Sequence, residues 1–468
     1  MGEFICGLEL HLPLDTESKL FCPCPVVAKE AEPNSATCPV CLGHPGSKPV
    51  LNRKAVDYAL KLALALNCQI ENGIVFSRKT YFYPDLAKNF QISQYEVPLG
   101  RNGFILLDSG KKIRIRRVHL EEDPGALVHE AGMRGSAYVL VDYNRSGVPL
   151  CEIVTEPDIS SKEEAREFLG KLNRLVSYLG VFDIDKSVIK ADTNISIPGG
   201  ERVEVKNVTG SKNVELALAF ELERQKKALA GGKKISMETR GFNEENGTTF
   251  SLRKKETEED YGFIVDADLV PTIIGEEWLK KIKGEIPELP EQKASRFVKE
   301  FGLAEYDAKV IASDKGLSEI FEGVAKVDSK LAVRLVSREL LGILNYNKLR
   351  LEGTKISSQG LIGLAKLLKE GKVSDKNAKE SMIKYALEGI EPETFLRKNN
   401  LLVDLSSADL ESVVKEIASE NKAAFEDYAK GNKKSLNFLL GLVMRKTKGK
   451  ADAKKAQELI EKLARAGK

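Results

Sequence analysis

Two cysteine pairs near the start of the chain have the spacing of a metal-binding knuckle. One residue separates Cys22 from Cys24, two separate Cys38 from Cys41, and thirteen lie between the pairs. Zinc prefers four thiolates at the corners of a tetrahedron, and two close pairs across a loop can supply them. Buried or reactive thiols without a metal are the alternative. We predict a closed structural zinc site that contributes to folding rather than to chemistry.

A second set of residues suits a harder cation. Glu9 and His11 are two positions apart and therefore share one face if they lie in a strand. Several carboxylates with one imidazole favour Mg²⁺ and substrate phosphates over zinc. Each piece alone also fits a solvated turn or a core histidine, and alternation does not choose between Glu121 and Glu122. The set comprises Glu9, His11, His119, Glu121, Glu122, Asp123, Glu152 and Glu156.

Cationic and aromatic side chains that could contact a nucleotide lie between residues 78 and 95. Arg78 and Lys79 could meet a phosphate, and three tyrosines follow them in the same segment. The chain has no glycine-rich P-loop and no dinucleotide-binding glycine pattern, so ATP would have to bind by another route. It also lacks a nucleophile elbow and any recognisable Ser–His–Asp arrangement.

Positive charge is concentrated at the end of the chain. The net charge is only +3, but residues 430–468 contain 12 Lys or Arg and 3 Asp or Glu, a local net of +9, so the first 429 residues sum to −6. A basic end suits a polyanion, because phosphate contacts are Coulombic and insensitive to sequence. A solvated helix face is the alternative.

The composition is that of an ordinary soluble protein. With 468 residues, 42% of them hydrophobic and 30% charged, the chain is unlike collagen, a disordered tail or a membrane bundle. No apolar run approaches the roughly 18 residues of a membrane span, and no signal-peptide pattern opens the chain. An odd number of cysteines, all within the first 151 residues, does not resemble a disulfide framework. We therefore expect a cytoplasmic enzyme or binding protein.

Hydrophobic periodicity changes along the chain. Strand-like alternation occurs at 111–123, 135–144 and 201–207, and helical patterns with end signals occur at 161–180 and 213–232. After about Pro287 the helical period dominates. These patterns predict a large α/β (α+β) domain, then an all-α helical domain, then a small basic helical tail. The predicted ranges are 1–286, 287–407 and 408–468.

An ordered series of motifs resembles one protein family. The motifs are GLELHL, KLFCPCP, AEPNSATCPVCLGHPGSKPVLN, RKTYFYPDLAKNFQISQY, HLEEDPG, VDYNRSGVPLCEIVTEPD and VEVKN. In this order they are similar to the B subunits of aspartyl/glutamyl-tRNA amidotransferases. The likeness continues through IPELPEQKASRFVKEFGL to NFLLGLVMRKTKGKADAKKAQELIEKL, and so covers essentially the whole chain. Related E subunits carry an extra inserted domain, for which 468 residues leave little room.

The resemblance implies a cradle-shaped first domain, a helical domain, a tRNA-binding tail and a ligase that forms a carbon–nitrogen bond. ATP would phosphorylate the side-chain carboxylate of misacylated Asp-tRNA(Asn) or Glu-tRNA(Gln). Ammonia would then displace phosphate, giving Asn-tRNA(Asn) or Gln-tRNA(Gln). The implied ammonia source is glutamine, hydrolysed by a separate amidase (A) subunit, with a small C subunit completing a heterotrimer. ATP, Mg²⁺ and a structural zinc ion are the implied cofactors.

Motif membership also implies site residues. The implied Mg²⁺ ligands are Glu9, His11, Glu122 and Glu152; the family's pattern, not alternation, favours Glu122 over Glu121. Lys79 is the implied phosphate contact. Other implied ATP or substrate contacts are Arg78, Tyr81, Tyr83, Asp142, Asn144, Arg145, Asp192, Lys206 and Asn207. The implied zinc ligands are Cys22, Cys24, Cys38 and Cys41, and the implied tRNA contacts are Lys433, Lys434, Arg445, Lys446, Lys448 and Lys450.

Two departures and two alternatives accompany this interpretation. Segment 190–196 has Ala191 where the family has a cysteine, and segment 259–271 keeps only part of the family's pattern rich in tyrosine, phenylalanine and proline. A tRNA-binding adaptor without ATP chemistry has no need of the acidic set, and a ligase acting alone on free amino acids has no need of the basic tail. Preference between Asp-tRNA and Glu-tRNA is not predicted, because one methylene is worth only about 1–3 kcal/mol.

Overall fold

The computed structural model describes residues 3–28, 30–129, 136–183, 188–254, 261–402, 407–429, 432–447, 451 and 453–466. The chain divides into two compact units, Met1–Leu289 and Pro290–Lys468. The first unit mixes strands with helices, whereas the described residues of the second form helices and turns without a strand. The predicted order, a mixed α/β region followed by a helical region, is confirmed.

A mixed β-sheet forms the centre of the first unit. The strands are β1 (Ile5–Pro13), β2 (Gln69–Ile70), β3 (Gly73–Ile74), β4 (Ser77–Thr80), β5 (Phe90–Ser93), β6 (Gly100–Leu106), β7 (Lys112–Glu122), β8 (Ala126–Val128), β9 (Leu140–Asp142), β10 (Pro149–Thr155), β11 (Lys190–Ser196), β12 (Val203–Thr209), β13 (Glu238–Asn243), β14 (Thr248–Lys254), β15 (Ile264–Val265) and β16 (Thr272–Ile273). Nine of them pair in the order β14-β13-β12-β11-β1-β10-β7-β6-β2, and short sheets are formed by β15-β4-β5, β16-β3 and β8-β9. Within the large sheet only β12 and β13 are parallel.

One face of the large sheet packs against helices. The helices of this unit are α1 (Arg53–Ala65), α2 (Lys162–Leu179), α3 (Ser211–Ala230) and α4 (Glu276–Glu285). Leu8, Leu10 and Leu12 of β1 are fully buried in one core with the apolar residues of these helices. Because side chains alternate along a strand, Glu9 and His11 lie on the opposite face. The sheet therefore has an apolar face for stability and a polar face for a site.

Local sequence signals placed four of the five elements that were expected from them in this unit. Ser161 accepts a hydrogen bond from the backbone N–H of Glu164 at 3.2 Å, and Gly180 ends α2 with φ of 62°, as expected for 161–180. β7 and β12 confirm the predicted strands at 111–123 and 201–207. Helix α3 begins at Ser211, two residues before the expected start, and follows Gly210 without a side-chain cap.

The long strand expected at 135–144 is wrong in extent. Residue 135 lies outside the described residues, and only Leu140–Asp142 forms a strand, paired with β8 alone. Tyr138 and Val139 are exposed. The chain turns after Asp142, whose Oδ1 accepts the backbone N–H of Asn144 at 2.9 Å. This side-chain-to-backbone bond ends the strand in favour of a turn.

The second unit consists of helices around two separate apolar clusters. Its helices are α5 (Pro290–Phe301), α6 (Glu305–Ala312), α7 (Lys315–Ala325), α8 (Ser329–Ala332), a π-helical segment (Val333–Leu340), α9 (Leu341–Tyr346), α10 (Ser358–Lys369), α11 (Asp375–Glu388), α12 (Pro392–Lys398), α13 (Ser407–Glu420), α14 (Lys422–Ala429), α15 (Lys433–Lys446) and α16 (Ala453–Ala466). One cluster runs from Ala294 to Leu396 and the other from Leu410 to Ile460. Across the described part of the chain, every helix is too short or too polar to span a bilayer.

Candidate active site and metal centres

Strand register brings distant motifs together on the polar face of the large sheet. His11 of β1 lies opposite Glu152 of β10, and Glu152 lies opposite His119 of β7. On the other side of β1, Glu9 lies opposite Asp192 of β11. Antiparallel partners that share a face have their side chains adjacent. Five residues from four strands thus meet, although as many as 183 positions separate Glu9 from Asp192 in the sequence.

The first acidic group comprises His11, Glu121 and Glu152. Their potential ligand atoms all lie within 4.8 Å of one another. His11 Nε2 is 3.6 Å from Glu121 Oε1 and 3.9 Å from Glu152 Oε2. Both carboxylates are buried, whereas His11 is half-buried. Two carboxylates and an imidazole at this spacing fit a small divalent cation that keeps part of its coordination for water or phosphate.

Charge coupling within this group is strong. Burial by itself would lower the pKa of His11, but the carboxylates of Glu152 and Glu121 outweigh it and raise that pKa above its ordinary value. Burial likewise would raise the pKa of Glu152, but His119, His11 and Lys79 hold it well below the usual range. Glu152 therefore stays ionised and able to bind a cation.

Glu121, not Glu122, occupies the position beside His11. Glu122 shares the core side of β7 with Leu120, and its Oε2 accepts a hydrogen bond from Lys88 Nζ at 2.7 Å. Its Oε1 accepts the backbone N–H of Ile92 at 2.8 Å. The structure thus brings three of the four implied Mg²⁺ ligands to this face of the sheet and places Glu122 in a buried ion pair.

A second acidic group adjoins the first. Glu9, Asp192 and Glu204 have carboxylate oxygens within 4.8 Å of one another. Lys206 Nζ lies 2.7 Å from Asp192 Oδ2 and 3.3 Å from Glu204 Oε1, so one ammonium already offsets part of the negative charge of these three carboxylates. The backbone N–H of Asn207 donates to Asp192 Oδ1 at 2.7 Å. Lys206 holds the pKa of Asp192 below its ordinary value against the effect of burial.

Lys79 lies among aromatic rings. Its Nζ is 4.6 Å from the centroid of the Tyr261 ring and 5.6 Å from that of Tyr81. The two rings meet edge to face with centroids 5.8 Å apart. Among the described residues, Lys79 gains this cation–π attraction without forming an ion pair with a carboxylate. Lys79 is thereby positioned near Glu152 with its charge available to an anion.

Three further implied substrate contacts, Arg78, Tyr83 and Tyr81, differ in their ion pairing and exposure. Arg78 Nε is 2.8 Å from Asp266 Oδ2, and Arg78 Nη2 is 3.1 Å from Asp268 Oδ2, so these carboxylates already satisfy its guanidinium. Tyr83 is exposed, with 46% of its surface accessible. Tyr81 is half-buried, and burial followed by the charge of Glu121 raises the pKa of its hydroxyl.

The side chains of residues 142–145 form hydrogen bonds with the backbone of neighbouring loops and are not members of the two acidic groups. Asp142 Oδ1 accepts the backbone N–H of Asn34 at 2.9 Å, and Asn144 Oδ1 accepts that of Ala36 at 2.8 Å. Arg145 donates to the backbone carbonyls of 124 and 125 and pairs with Asp123 at 3.1 Å. These bonds position the segment that leads into the second cysteine pair.

The four knuckle cysteines converge as expected for a metal centre. The sulfurs of Cys22, Cys24, Cys38 and Cys41 all lie within 4.8 Å of one another, and those of Cys38 and Cys41 are 3.9 Å apart. A tetrahedral zinc ion with Zn–S distances of about 2.3 Å holds its sulfurs about 3.8 Å apart, so the donor set fits zinc. Gly43 has φ of +68°, and a Cβ there would lie 2.4 Å from Lys88 Cγ. The knuckle turn thus requires glycine in order to pack on Lys88.

The basic residues proposed for tRNA lie partly beyond the described region. Lys434, Arg445 and Lys446 are exposed on α15. Lys446 Nζ is also 2.8 Å from Glu416 Oε1. The side chain of Lys433, and Lys448 and Lys450 altogether, lie outside the described residues. The described part of this set is thus accessible to a polyanion.

Three site residues were not selected from the sequence. Glu204 and Tyr261 lie in segments where strand alternation or family likeness was visible, but nothing indicated their spatial partners. Lys88 lies within the recognised motif RKTYFYPDLAKNFQISQY but stayed unassigned. Its contact with Glu122 depends on the packing of β5 on β7, which no local signal encodes.

A mixed sheet with a polar face that carries two acidic groups, followed by a helical unit, defines a class of two-part enzyme subunit. Residues 4–280 match the GatB/GatE catalytic domain, and residues 319–463 match the GatB domain. The chain therefore belongs to the GatB family, which confirms the resemblance found in its motifs.

Relatives match along nearly the whole length. The chain is 44% identical to the B subunit of the aspartyl/glutamyl-tRNA(Asn/Gln) amidotransferase of Thermotoga neapolitana, over 98% of both chains. It is 45% identical to the protein of the same name from Sulfolobus acidocaldarius, over 97% of this chain and 98% of the relative. Identity to that of Methanospirillum hungatei is 42%, over 98% of both chains.

Proposed function

We propose that this chain is the B subunit of a tRNA-dependent amidotransferase that acts on Asp-tRNA(Asn), Glu-tRNA(Gln) or both. ATP phosphorylates the side-chain carboxylate of the misacylated residue, and ADP leaves. Ammonia then attacks the activated carbonyl carbon, phosphate leaves, and the amide forms. A partner amidase subunit supplies the ammonia from glutamine, and a small C subunit completes the assembly in the cytoplasm.

The observation that carries this proposal is the grouping of His11, Glu121 and Glu152 on the polar face of the sheet. Phosphoryl transfer to a carboxylate brings negative charges together, so cations must offset them. Mg²⁺ bound here would neutralise phosphate oxygens. Glu121 takes the ligand position that the family's pattern had assigned to Glu122, and Glu9 adjoins from the second acidic group.

Lys79 supplies the cationic side chain. Its ammonium lies near the rings of Tyr81 and Tyr261, and it adds to the effect of His119 and His11, which hold the pKa of nearby Glu152 low against burial. A lysine bound by rings keeps its charge for a phosphate, unlike Arg78, which is paired with two aspartates. We therefore assign the phosphate contact to Lys79 and the orientation of the β4–β15 pair to Arg78.

Two further parts of the chain support the assembly. The knuckle cysteines would hold a structural zinc ion that contributes to folding rather than to the reaction. Helices α13–α16 surround an apolar cluster of their own, which supports a separate tail domain beginning near residue 408. Exposed cations on α15 give this tail its affinity for tRNA. The helical domain before it, 287–407, has the other cluster as its core.

An activity assay with a matched pair of variants tests the proposal. The chain, with and without its partner subunits, is given ATP, Mg²⁺, ammonium chloride and Asp-tRNA or Glu-tRNA, and phosphate and amidated tRNA are followed. We expect both products only with charged tRNA, and neither from Glu152→Gln. Glu156→Gln, the same change at a residue paired with Arg116 on the surface, is the control and should remain active.

The adaptor alternative makes the opposite prediction. An adaptor would bind tRNA but release no phosphate in any combination of subunits. A ligase acting on free amino acids would release phosphate without tRNA. Either result would overturn the proposed function.

A further inference from the structure

His119 is a buried histidine beside the first acidic group that has no role in the reaction described above. It lies in β7 directly opposite Glu152 and is 1% exposed. Its Nε2 is 3.1 Å from Glu152 Oε2 and 4.0 Å from Glu121 Oε2. Glu152 consequently lies between two imidazoles, those of His11 and His119, on neighbouring strands.

The two nitrogens of His119 have different surroundings. Within the described residues, Nδ1 is buried and has no hydrogen-bond partner. A carboxylate can only accept a hydrogen bond, so the 3.1 Å contact requires the proton on Nε2. With the proton on Nε2, Nδ1 carries a lone pair, so that no buried N–H at this position lacks an acceptor. All polar contact made by this ring therefore passes through Nε2.

We propose that His119 is a positioning residue, which fixes the Glu152 carboxylate in the orientation that binds the divalent cation. This inference rests on the proposed function, because that function assigns Glu152 to the cation. One hydrogen bond to Oε2 leaves the other lone pairs of the carboxylate for the cation. Hydrogen bonds from neighbouring groups commonly orient metal-ligating side chains, and their loss typically costs about 10–100-fold in metal affinity.

The contact between His119 Nε2 and Glu152 Oε2 affects the orientation of Glu152 because both side chains are buried. Glu152 can rotate about its side-chain bonds unless something holds its oxygens, and the nearby carboxylate of Glu121 on the same sheet face repels it. His11 is 3.9 Å from the same oxygen, too far for a hydrogen bond. Within the described residues near Glu152, His119 therefore provides the short charge-assisted contact.

Two amide substitutions separate the roles of the two nitrogens. The amide nitrogen of Gln reaches the position of histidine Nε2, whereas that of Asn reaches only the position of Nδ1. Mn²⁺ binding to the full-length chain is measured by electron paramagnetic resonance, and melting temperature is recorded for each variant. We expect His119→Gln to bind Mn²⁺ within about threefold of the parent and His119→Asn to bind it about 10–100-fold more weakly.

The results separate the possible explanations. Unchanged Mn²⁺ affinity in both variants, or equal weakening in both at unchanged melting temperature, would overturn the positioning role. The proposed cation site itself would be overturned by a different result: the parent chain binds no Mn²⁺, and Glu152→Gln loses no amidation activity.

A measurement on the parent chain does not depend on how the variants fold. With ¹⁵N-labelled histidine, the nitrogen shifts of His119 report which nitrogen carries the proton. We expect the Nε2–H tautomer. The Nδ1–H tautomer would contradict the hydrogen bond to Glu152 and overturn the inference.

Discussion

Neighbouring glutamates in β7 should respond in opposite ways to the same substitution. Glu121 lies with His11 on the polar face, whereas Glu122 forms a buried ion pair with Lys88. Glu121→Gln removes a charged ligand and also relieves repulsion from Glu152. We expect its affinity for Mn²⁺ to fall more than tenfold, about 1.4 kcal/mol, with little change in melting temperature.

Glu122→Gln should instead destabilise the fold. Both partners are buried, with side-chain exposures of 5% for Glu122 and 10% for Lys88. Breaking a buried pair from one side costs about 3–5 kcal/mol. Gln keeps an oxygen for the backbone N–H of Ile92, so we expect the lower end, about 3 kcal/mol. For a domain of this size class, that lowers the melting temperature by roughly 6–12 °C.

Calorimetry and Mn²⁺ titration of the two variants form the assay. The double variant Glu122→Gln with Lys88→Met removes both charges and should recover part of the lost stability, because no uncompensated ammonium remains. The reasoning would be refuted if Glu122→Gln lost Mn²⁺ affinity at unchanged melting temperature while Glu121→Gln bound normally. That pattern would make Glu122 the ligand.

Other perturbations should affect the metal knuckle, the tail and the pH dependence of stability. Cys38→Ser or chelation should release zinc, measured by elemental analysis, and lower the melting temperature while amidation per folded molecule persists. Arg445→Ala should weaken tRNA binding and reduce the salt slope by about 1; an unchanged slope would leave α15 a solvated surface. Burial raises the pKa of Asp123 from 3.8 to about 6 despite Arg145. The folded state therefore binds the proton of the Asp123 carboxyl more tightly than the unfolded state does. The stability gained from this protonation is present below about pH 4 and is lost as pH rises through 6. Asp123→Asn should make the free energy of unfolding less dependent on pH across that window. A pH dependence that persists in this variant would have to come from other groups.

Local signals in the sequence predicted the elements that frame the site. The alternation of 111–123 and the end signals of 161–180 were sufficient for β7 and α2, because strand pleat and helix capping are local physics. The strand expected at 135–144 was too long, because within the described residues this segment pairs only with the three-residue strand β8. Propensity alone does not show which strand will pair with which.

The candidate site was predictable as a set of residue types but not as a geometry. Motif likeness named Glu9, His11 and Glu152, and strand register then placed them on one face. Arg78 was equally attractive from the sequence, yet the distant Asp266 neutralises it across the β4–β15 pair. Such a partner, 188 positions away, becomes a neighbour only in the folded chain.

The sequence by itself determined the family, the four convergent cysteines, the change from mixed to helical structure and the basic end of the chain. Tertiary structure decided which of two adjacent glutamates lies on the polar face beside His11. Side-chain alternation requires Glu121 and Glu122 to point to opposite faces of β7, but it does not say which face is covered. The packing of helices against Leu120 and the approach of Lys88 place Glu122 on the core side, leaving Glu121 with His11.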